Sequence, residues 1–450
     1  MSFDWMLHYR SITALLPTLL IMGLVGCEGA QAPQESTDEQ SAEATEPQAA
    51  AADQPEHLAN APRDPRAALT EALGAGLLDN DLPVWEDMRE VLRVAGVPEA
   101  SQVLVFSKTS LQHQLIGPRN PRAIYFNDDC YIGYVPGGVI EYGDADEDTD
   151  LGSGFYAIDP TLGAEAQLVS DRSCLSCHEG SRTNYRPGFL IRSIFPDPDG
   201  HVITSAGSTL VTHDTPIDKR WGGWYVTGQS GDTHHRGNQI AIEHPNGDAF
   251  IDNELGSNVE DLSHHFSLSR YLEPTSDIVA LMVLEHQVQM HNLLTQGSTS
   301  VHEQTERSKS LAKHLEEPFI PENNETLQRV ISANAERIVK HLLFCDEVEL
   351  TSPISGSEKY IEQFRANRKE DAQGRSLKDF DLQTRMFKYR CSYMVYSRAF
   401  ELMPELLMEA VVAKLHGVLS GNEVDEAFAH LGANERRAIL SILRETTDLF

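Results

Sequence analysis

The sequence has few basic residues for its length. It carries 36 Lys and Arg against 68 Asp and Glu, which gives a formal net charge of −32 over 450 residues. This excess of negative charge repels nucleic-acid phosphates and anionic membrane surfaces, so nucleic acid is excluded as a partner. The acidity favours solubility. An acidic docking face for a basic redox partner protein is the alternative interpretation.

No apolar run reaches the roughly 20 residues that a transmembrane helix needs. The run over residues 12–25 follows Arg10, is interrupted by Thr, Pro and Gly, and ends in Leu24-Val25-Gly26-Cys27. This tetrapeptide has the pattern of a bacterial lipobox, which predicts a lipoprotein signal peptide over 1–26 and lipidation at Cys27. An ordinary cleaved signal is the alternative. Glu28 directly after the cysteine favours an outer-membrane destination, on its periplasmic or its surface side.

Large apolar residues are nearly missing after Cys27. Residues 28–65 are mostly Gln, Ala, Glu, Asp, Ser, Thr and Pro, and such a segment cannot bury enough surface to offset the entropy lost on ordering. The composition predicts a disordered acidic tether over 27–65. We therefore expect an exported protein whose contact with the membrane is its N-terminal lipid.

Cysteine is scarce, and its number excludes a simple disulfide framework. If Cys27 carries lipid, five cysteines remain, and an odd number cannot all pair. These five are Cys130, Cys174, Cys177, Cys345 and Cys391. A bridge between Cys345 and Cys391, with Cys130 free, is one open arrangement.

The segment Cys174-Leu175-Ser176-Cys177-His178 is a C-x-x-C-H motif, the attachment pattern of haem c. Two thiols three residues apart on one turn reach the two vinyl groups of the porphyrin, and the adjacent histidine then lies beneath the iron. The motif predicts one covalent haem, with His178 as the proximal iron ligand. A thioredoxin-type redox pair and half of a zinc site are alternatives. The redox pair needs a strand-to-helix context, which is missing here. The zinc site needs a second pair of ligands at short spacing, which is also missing.

Methionine is absent between His178 and Met282, although small c-type cytochromes carry a methionine iron ligand downstream of the motif. The sixth iron position is therefore filled by another residue type, filled by a distant Met, or left open.

The side of the haem opposite His178 needs a wall of its own, and one candidate is the segment that carries Trp221 and Trp224. These are half of the four tryptophans in the chain. Flat aromatic walls and nearby glycines suit a cofactor pocket. His235 is the first candidate for the distal ligand and His234 the second, and Arg236 could stabilise charge. Ordinary core packing of the two tryptophans is the alternative.

A second candidate is the run around Glu285-His286-Gln287. Met282, His286 and Met290 repeat every four residues and share one face of a predicted helix, so His286 or Met290 could reach iron. Packing of these side chains in the core is the alternative.

Periodicity predicts a mostly α-helical fold with irregular and short-strand segments: a cytochrome c-like haem-binding core with large insertions, plus a helical C-terminal region. The domain prediction is a haem c-binding domain over 66–300 and a helical region over 301–450. Helices are predicted over 65–78 and 85–94, and strands over 102–107 and 123–126. Apolar residues at helical spacing predict two further helices, near 327–343 and 406–418. Asn434 is predicted to cap the last helix.

Several motifs resemble those of a family of large exported bacterial proteins that contain one cytochrome c domain and have no assigned reaction. The resemblance covers most of the chain after the tether and implies haem binding and electron transfer. It rests on Asn120-Pro121-Arg122, Tyr125-Phe126-Asn127-Asp128, Gly133-Tyr134-Val135-Pro136-Gly137-Gly138, the Cys-Leu-Ser-Cys-His motif, Trp221-Gly222-Gly223-Trp224-Tyr225-Val226-Thr227-Gly228, His235-Arg236-Gly237-Asn238, Glu285-His286-Gln287, Gly374-Arg375-Ser376-Leu377 and Cys391-Ser392-Tyr393.

These features together predict a lipid-anchored, exported c-type cytochrome that exchanges single electrons with redox partner proteins. A haem enzyme of peroxidase or oxidase type is one alternative, with an open or His-ligated distal site and with His235 or Arg236 as catalytic residues. A non-catalytic haem sensor or binding protein is the other.

Overall fold

The computed structural model describes residues 54–79, 83–146, 152–245, 248–422 and 425–450. The predicted signal peptide, Cys27 and tether residues 27–53 lie outside the described residues. The rest of the predicted tether, residues 54–65, includes a short helix, and Leu58 within it is buried.

Helices occupy both ends of the described chain and one long central segment. They are α1 (Gln54–Ala59), α2 (Pro65–Gly74), α3 (Val84–Ala95), α4 (Leu175–His178), α5 (Ile278–His314), α6 (Glu325–Leu342), α7 (Glu358–Phe364), α8 (Arg398–Glu401), α9 (Glu405–Ser420) and α10 (Ala433–Thr446). The predicted helices near 65–78, 85–94, 327–343 and 406–418 are confirmed as α2, α3, α6 and α9. The predicted cap at Asn434 is wrong, because α10 begins two residues earlier and its N-cap is Gly432.

The strands lie almost entirely between α3 and α5. They are β1 (Val103–Val105), β2 (Arg122–Phe126), β3 (Cys130–Tyr134), β4 (Ile140–Asp146), β5 (Gly152–Ile158), β6 (Val169–Ser170), β7 (Arg192–Ile194), β8 (Ser208–Leu210), β9 (Trp224–Tyr225), β10 (Ile242–Glu243) and β11 (Ala249–Phe250). The predicted strands over 102–107 and 123–126 are confirmed as β1 and β2.

Seven of these strands form one antiparallel sheet in the order β6-β5-β4-β3-β2-β1-β9. The β2–β3 turn is set by Asn127, whose side-chain oxygen accepts hydrogen bonds from the N–H groups of Asp129 and Cys130 at 3.0 and 2.9 Å. In the longest pairing, Ile140 lies opposite Ile158 and Asp146 opposite Gly152. Neighbouring strands in sequence are therefore neighbours in the sheet, except at β9.

The predicted fold class, mostly α with a cytochrome c-like core, is wrong. The segment that carries Cys174 and His178 follows the edge strand β6 of a seven-stranded sheet, so the fold mixes helices with a substantial antiparallel sheet. The physical reason is that β3, β4 and β5 are rich in Gly, Tyr and Asp, which hides the alternation from which strands are usually recognised.

Both faces of this sheet are buried. Successive strand residues point to opposite faces: Leu104 and Tyr125 pack with α2 and α3, whereas Val105 and Phe126 belong to the core that contains α5, α6 and α9. Because both faces are covered, every residue of β1 and β3 is buried and burial does not alternate along them.

Helix α5 is the central element of the larger core. It has 37 residues, and Asp277 caps it by accepting hydrogen bonds from the N–H groups of Val279 and Ala280, both at 2.9 Å. The domain boundary that the sequence places after residue 300 falls inside this continuous helix. Residues 54 onward belong to one compact unit.

Cys130, Cys174, Cys177, Cys345 and Cys391 are all free thiols, so no bridge joins Cys345 to Cys391. Among the described residues, no helix is both long enough and apolar enough to cross a membrane.

Candidate functional site

The C-x-x-C-H segment forms a tight turn followed by one turn of helix. The Asp171 side chain accepts a hydrogen bond from the N–H of Ser173 at 2.9 Å, which caps the turn before α4. Cys174 is half-buried and Cys177 is exposed, with His178 at the end of the helical turn. Residues three apart on a helical turn share a side, so the two thiols and the imidazole are presented by one short element.

His178 is held in one tautomer. Its Nδ1 lies 2.8 Å from the carbonyl oxygen of Gly188. A carbonyl can only accept, so Nδ1 carries the proton and Nε2 keeps its lone pair. Burial lowers the pKa of His178, which favours the neutral imidazole. A neutral ring whose other nitrogen is bound to a carbonyl is the usual state of a histidine that ligates a metal.

The backbone that carries the Gly188 carbonyl is fixed by Asn292 of α5. The Asn292 amide accepts a hydrogen bond from the N–H of Phe189 and donates one to its carbonyl oxygen, both at 2.8 Å. A Cβ atom at Gly188 would lie 2.6 Å from the Asn292 oxygen, so only glycine allows this approach. Helix α5 therefore positions the group that orients His178.

We expect Asn292→Ala to lower the free energy of unfolding by about 2 kcal/mol, because two buried backbone groups lose their partner. Denaturant unfolding of the purified variant measures the change. Asn334→Ala is the control, since Asn334 makes one partly buried bond to the Val330 carbonyl oxygen within its own helix. An Asn292→Ala variant that is as stable as this control would contradict the role of Asn292 in fixing the backbone at Phe189.

A cavity of about 390 Å³ adjoins the motif. Its volume is within the range of small-molecule and cofactor pockets, roughly 300–1,000 Å³. Cys174, Cys177 and His178 all line it, and its walls are largely aromatic and aliphatic. The aromatic and aliphatic residues of the wall are Val105, Leu111, Ile124, Tyr131, Tyr142, Phe155, Tyr156, Phe189, Leu190, Ile191, Trp224, Leu284 and Val288.

The cavity also presents positive charge. Arg122, Arg182 and Arg192 line it, and Glu141 is the acidic residue among its lining groups. Arg122 forms an ion pair with Glu141, but its Nε and the Nε of Arg192 are buried atoms without a hydrogen-bond partner in the described part of the chain. Three guanidinium groups against one carboxylate favour an anionic group in the cavity.

These residues fit a covalent haem c. The fit consists of three features: two thiols and an oriented neutral imidazole at one wall, largely apolar walls, and guanidinium groups in the lining that suit the two carboxylates of the haem.

The two competing interpretations of the motif find no support. Burial raises the pKa of the Cys174 thiol to about 12, whereas a redox-active pair needs a lowered thiol pKa. A zinc site would bring further His or Cys side chains to Cys174 and Cys177, and within the described ranges no group of three or more possible metal ligands contains either cysteine.

The two predicted tryptophans lie in different places. Trp224 lines the cavity, and its Nε1 donates a hydrogen bond to the carbonyl oxygen of Arg192 at 2.7 Å. Trp221 is fully buried outside the cavity, where its Nε1 donates to Glu285 at 3.3 Å.

His235 and its neighbours lie away from the cavity. His235 is 1% exposed, packs edge-on against Trp221 and accepts a hydrogen bond from the N–H of Gly237 at 3.1 Å. Burial lowers its pKa to about 3. His234 and Arg236 line a separate, open cavity of about 890 Å³.

On α5, the residues that face the cavity are Leu284 and Val288. His286 and Met290 are offset from them by two positions, about 200° around a helix, and both are fully buried in the core. The sequence thus identified the helix, but the structure does not bring His286 or Met290 to the cavity. His291 contacts the Phe189 ring, with centroids 4.9 Å apart, without lining the cavity.

Sequence reasoning missed Arg122, Arg192, Asn292 and the Gly188 carbonyl. Arg122 and Gly188 do stand in punctuated segments, Asn-Pro-Arg and Arg-Pro-Gly. Nothing in the spacing of these residues connects them to Cys174, because the fold alone brings them together.

Comparison with known proteins adds no assignment: no family model, no curated protein and no solved structure matches this chain.

Proposed function

We propose that this protein binds one haem c covalently through Cys174 and Cys177, with His178 as the proximal iron ligand, and that it transfers single electrons. The observation that carries the proposal is the hydrogen bond between His178 Nδ1 and the Gly188 carbonyl, at the wall of a cavity that both cysteines also line. It leaves the Nε2 lone pair available beside the two thiols.

When bound, the haem supplies a one-electron iron couple whose potential depends on its ligands, hydrogen bonds and burial. The Gly188 carbonyl increases the basicity of His178 by accepting a hydrogen bond from its Nδ1–H. Phe155, whose ring lies 4.6 Å from that of His178, and Trp224 exclude water from the site. The guanidinium groups of Arg182 and Arg192, which line the cavity, are donors for carboxylates.

Export and a lipid anchor at Cys27 belong to the same proposal, because attachment of haem to this motif takes place outside the cytoplasm. Cys177 is exposed, so an electron partner would approach the site where the haem is attached. The net charge of −32 favours a basic partner.

Optical spectroscopy with a potentiometric titration tests the proposal. We expect the absorption bands of a c-type haem and a reversible one-electron transition. A purified, exported chain without haem absorption, or with a haem that cannot be reduced and reoxidised, would contradict it.

A second candidate function is a haem enzyme or gas-binding protein, and one observation favours it. Among the residues that line the cavity, His178 is the one histidine, and Met and Lys are absent. The described wall therefore offers no second histidine and no methionine for the sixth position of haem iron.

We expect the ferrous protein to bind carbon monoxide, seen as a shift of its main absorption band. His235→Gln and Met290→Leu should leave this binding unchanged, because neither residue lines the cavity. If the ferrous protein ignores carbon monoxide but Met290→Leu binds it, Met290 is the sixth ligand and the open-site account is wrong.

A further inference from the structure

Three buried histidines from distant parts of the sequence meet in the larger core, outside the cavity that Cys174, Cys177 and His178 line. His213 follows β8, His286 lies on α5 and His341 lies in the last turn of α6. They are 3%, 0% and 9% exposed, and one ring nitrogen from each lies within 4.8 Å of the others.

The second nitrogen of each ring faces a group that can accept a hydrogen bond. His213 Nε2 lies 3.1 Å from the Cys345 carbonyl oxygen, and His341 Nε2 lies 3.2 Å from the His286 carbonyl oxygen. His286 Nε2 lies 2.8 Å from the Ser392 hydroxyl. With protons on these three Nε2 atoms, all three Nδ1 atoms carry lone pairs. Such outer hydrogen bonds are the usual support of histidine metal ligands.

The Nδ1 atoms of His213 and His286 are only 2.9 Å apart, and their ring planes differ by 15°. The two rings therefore meet edge to edge, and in the metal-free chain one proton lies between them. The His341 ring is parallel to the His286 ring, with centroids 4.8 Å apart. Rotation about the side-chain bond next to the ring, a soft torsion in histidine, would turn its Nδ1 toward the other two and would replace the Nε2 bond to the His286 carbonyl oxygen with the bond to the metal.

Two neighbouring features fix this arrangement. Arg220 donates hydrogen bonds to the backbone carbonyls of His213 and Thr215, at 3.1 and 2.7 Å, and pairs with Glu285, so it ties the His213 loop to α5. Phe344, in a left-handed backbone conformation (φ 54°), packs flat on His286 with ring centroids 4.2 Å apart. His213 and His286 are thus held in place, and all three histidines are shielded from water.

We propose that His213, His286 and His341 bind one copper or zinc ion through their Nδ1 atoms. Neutral imidazole nitrogens suit these two metals, and magnesium and calcium prefer oxygen ligands. No imidazole proton needs to leave: as the metal binds, the His286 proton moves from Nδ1 to Nε2, and the Ser392 hydroxyl turns from donor to acceptor. The proposal is independent of haem at Cys174.

The test uses the untagged full chain, incubated with Cu²⁺, Zn²⁺ or Mg²⁺, desalted and analysed for each metal. We expect one equivalent of copper or zinc and no magnesium. His213→Gln and His341→Gln should weaken binding at least tenfold, because a glutamine amide replaces Nε2 and keeps its hydrogen bond but offers nothing at Nδ1. His430→Gln is the matched control, since His430 Nε2 also bonds a backbone carbonyl, that of Leu343 at 2.7 Å.

Wild-type protein that retains neither copper nor zinc would overturn the proposal and leave a purely structural histidine network. Retention by both glutamine variants would also overturn it. If the variants do not fold, electron paramagnetic resonance of the copper-loaded wild type decides: nitrogen hyperfine splitting from imidazole ligands is expected, and its absence contradicts the site. Copper and zinc are counted separately from iron, so the outcome does not depend on haem.

Discussion

Replacing both Cys174 and Cys177 with serine is expected to abolish covalent haem attachment completely. A serine hydroxyl cannot form the thioether bond, and the remaining His178 offers one ligand to a group that is otherwise free to leave. Haem-dependent staining of the denatured protein on a gel measures the loss, and it should fall below detection.

A cysteine-to-serine change elsewhere controls for the general effect of removing a thiol. Cys345 is a buried free thiol remote from the motif in sequence, and its sulfur contacts the Ala427 carbonyl oxygen. Cys345→Ser should retain the full haem stain. Persistence of covalent haem in the double variant would show that the motif is not the attachment site.

Arg220→Met is expected to lower the free energy of unfolding by about 3–5 kcal/mol, the usual cost of leaving one charge of a buried ion pair without its partner. Arg220 and Glu285 are both almost fully buried and in direct contact. Arg220 also makes the two backbone hydrogen bonds that hold the His213 loop, so its removal affects the histidine cluster as well. Denaturant titration measures the change.

The pH dependence of this loss identifies its electrostatic origin. Burial raises the pKa of the Glu285 carboxyl, and the Arg220 guanidinium opposes that rise. Without Arg220 the pKa rises further. When the pKa of a carboxyl is higher in the folded state than in the unfolded state, the protonated carboxyl favours folding. This contribution to stability is fully present below the unfolded-state pKa, and it is lost as pH rises through the folded-state pKa. The folded-state pKa of Glu285 with Arg220 present is about 8, so the deficit of Arg220→Met should grow above that value and be larger at pH 9 than at pH 7.

An exposed ion pair provides the control. Arg93 and Glu90 pair at 2.7 Å on the surface of α3, with about half of each side chain exposed, and such pairs contribute less than about 1 kcal/mol. Arg93→Met should change stability by no more than that. Equal effects at Arg93 and Arg220 would contradict the assigned role of the buried pair.

The sequence predicted the helices α2, α3, α6 and α9, but of the seven-stranded sheet it predicted only β1 and β2. In α6 and α9 apolar residues recur at helical spacing, so the buried stripe is visible in the sequence. Strands β4 and β5 contain Gly143, Gly152 and Gly154 with acidic residues, and a sheet buried on both faces shows no polar alternation. The Asn127-Asp128-Asp129 turn is typical of a β-hairpin. It predicts a hairpin only if the segment after it is also recognised as a strand, and β3 was not.

For the site, the cysteines and the histidine of the motif were predictable from sequence, but the residues that surround them were not. The C-x-x-C-H spacing predicts Cys174, Cys177 and His178 as the proposed haem site without any structure. Helix α5 was found through its Met and His residues, yet the side facing the cavity carries Leu284 and Val288, because ordinary aliphatic residues give no signal of a pocket. His213 and His341 likewise give no signal in the sequence, because each is an isolated histidine there and only the fold places them beside His286.

The most direct measurement is the mass of the tryptic peptide over residues 173–182 from the protein as exported by its natural host. This peptide lies between Arg172 and the cleavage site after Arg182 and contains both cysteines and His178. The account predicts a mass increase equal to one haem, confined to this peptide. The unmodified peptide mass in protein purified with its full metal and cofactor content would contradict the central claim.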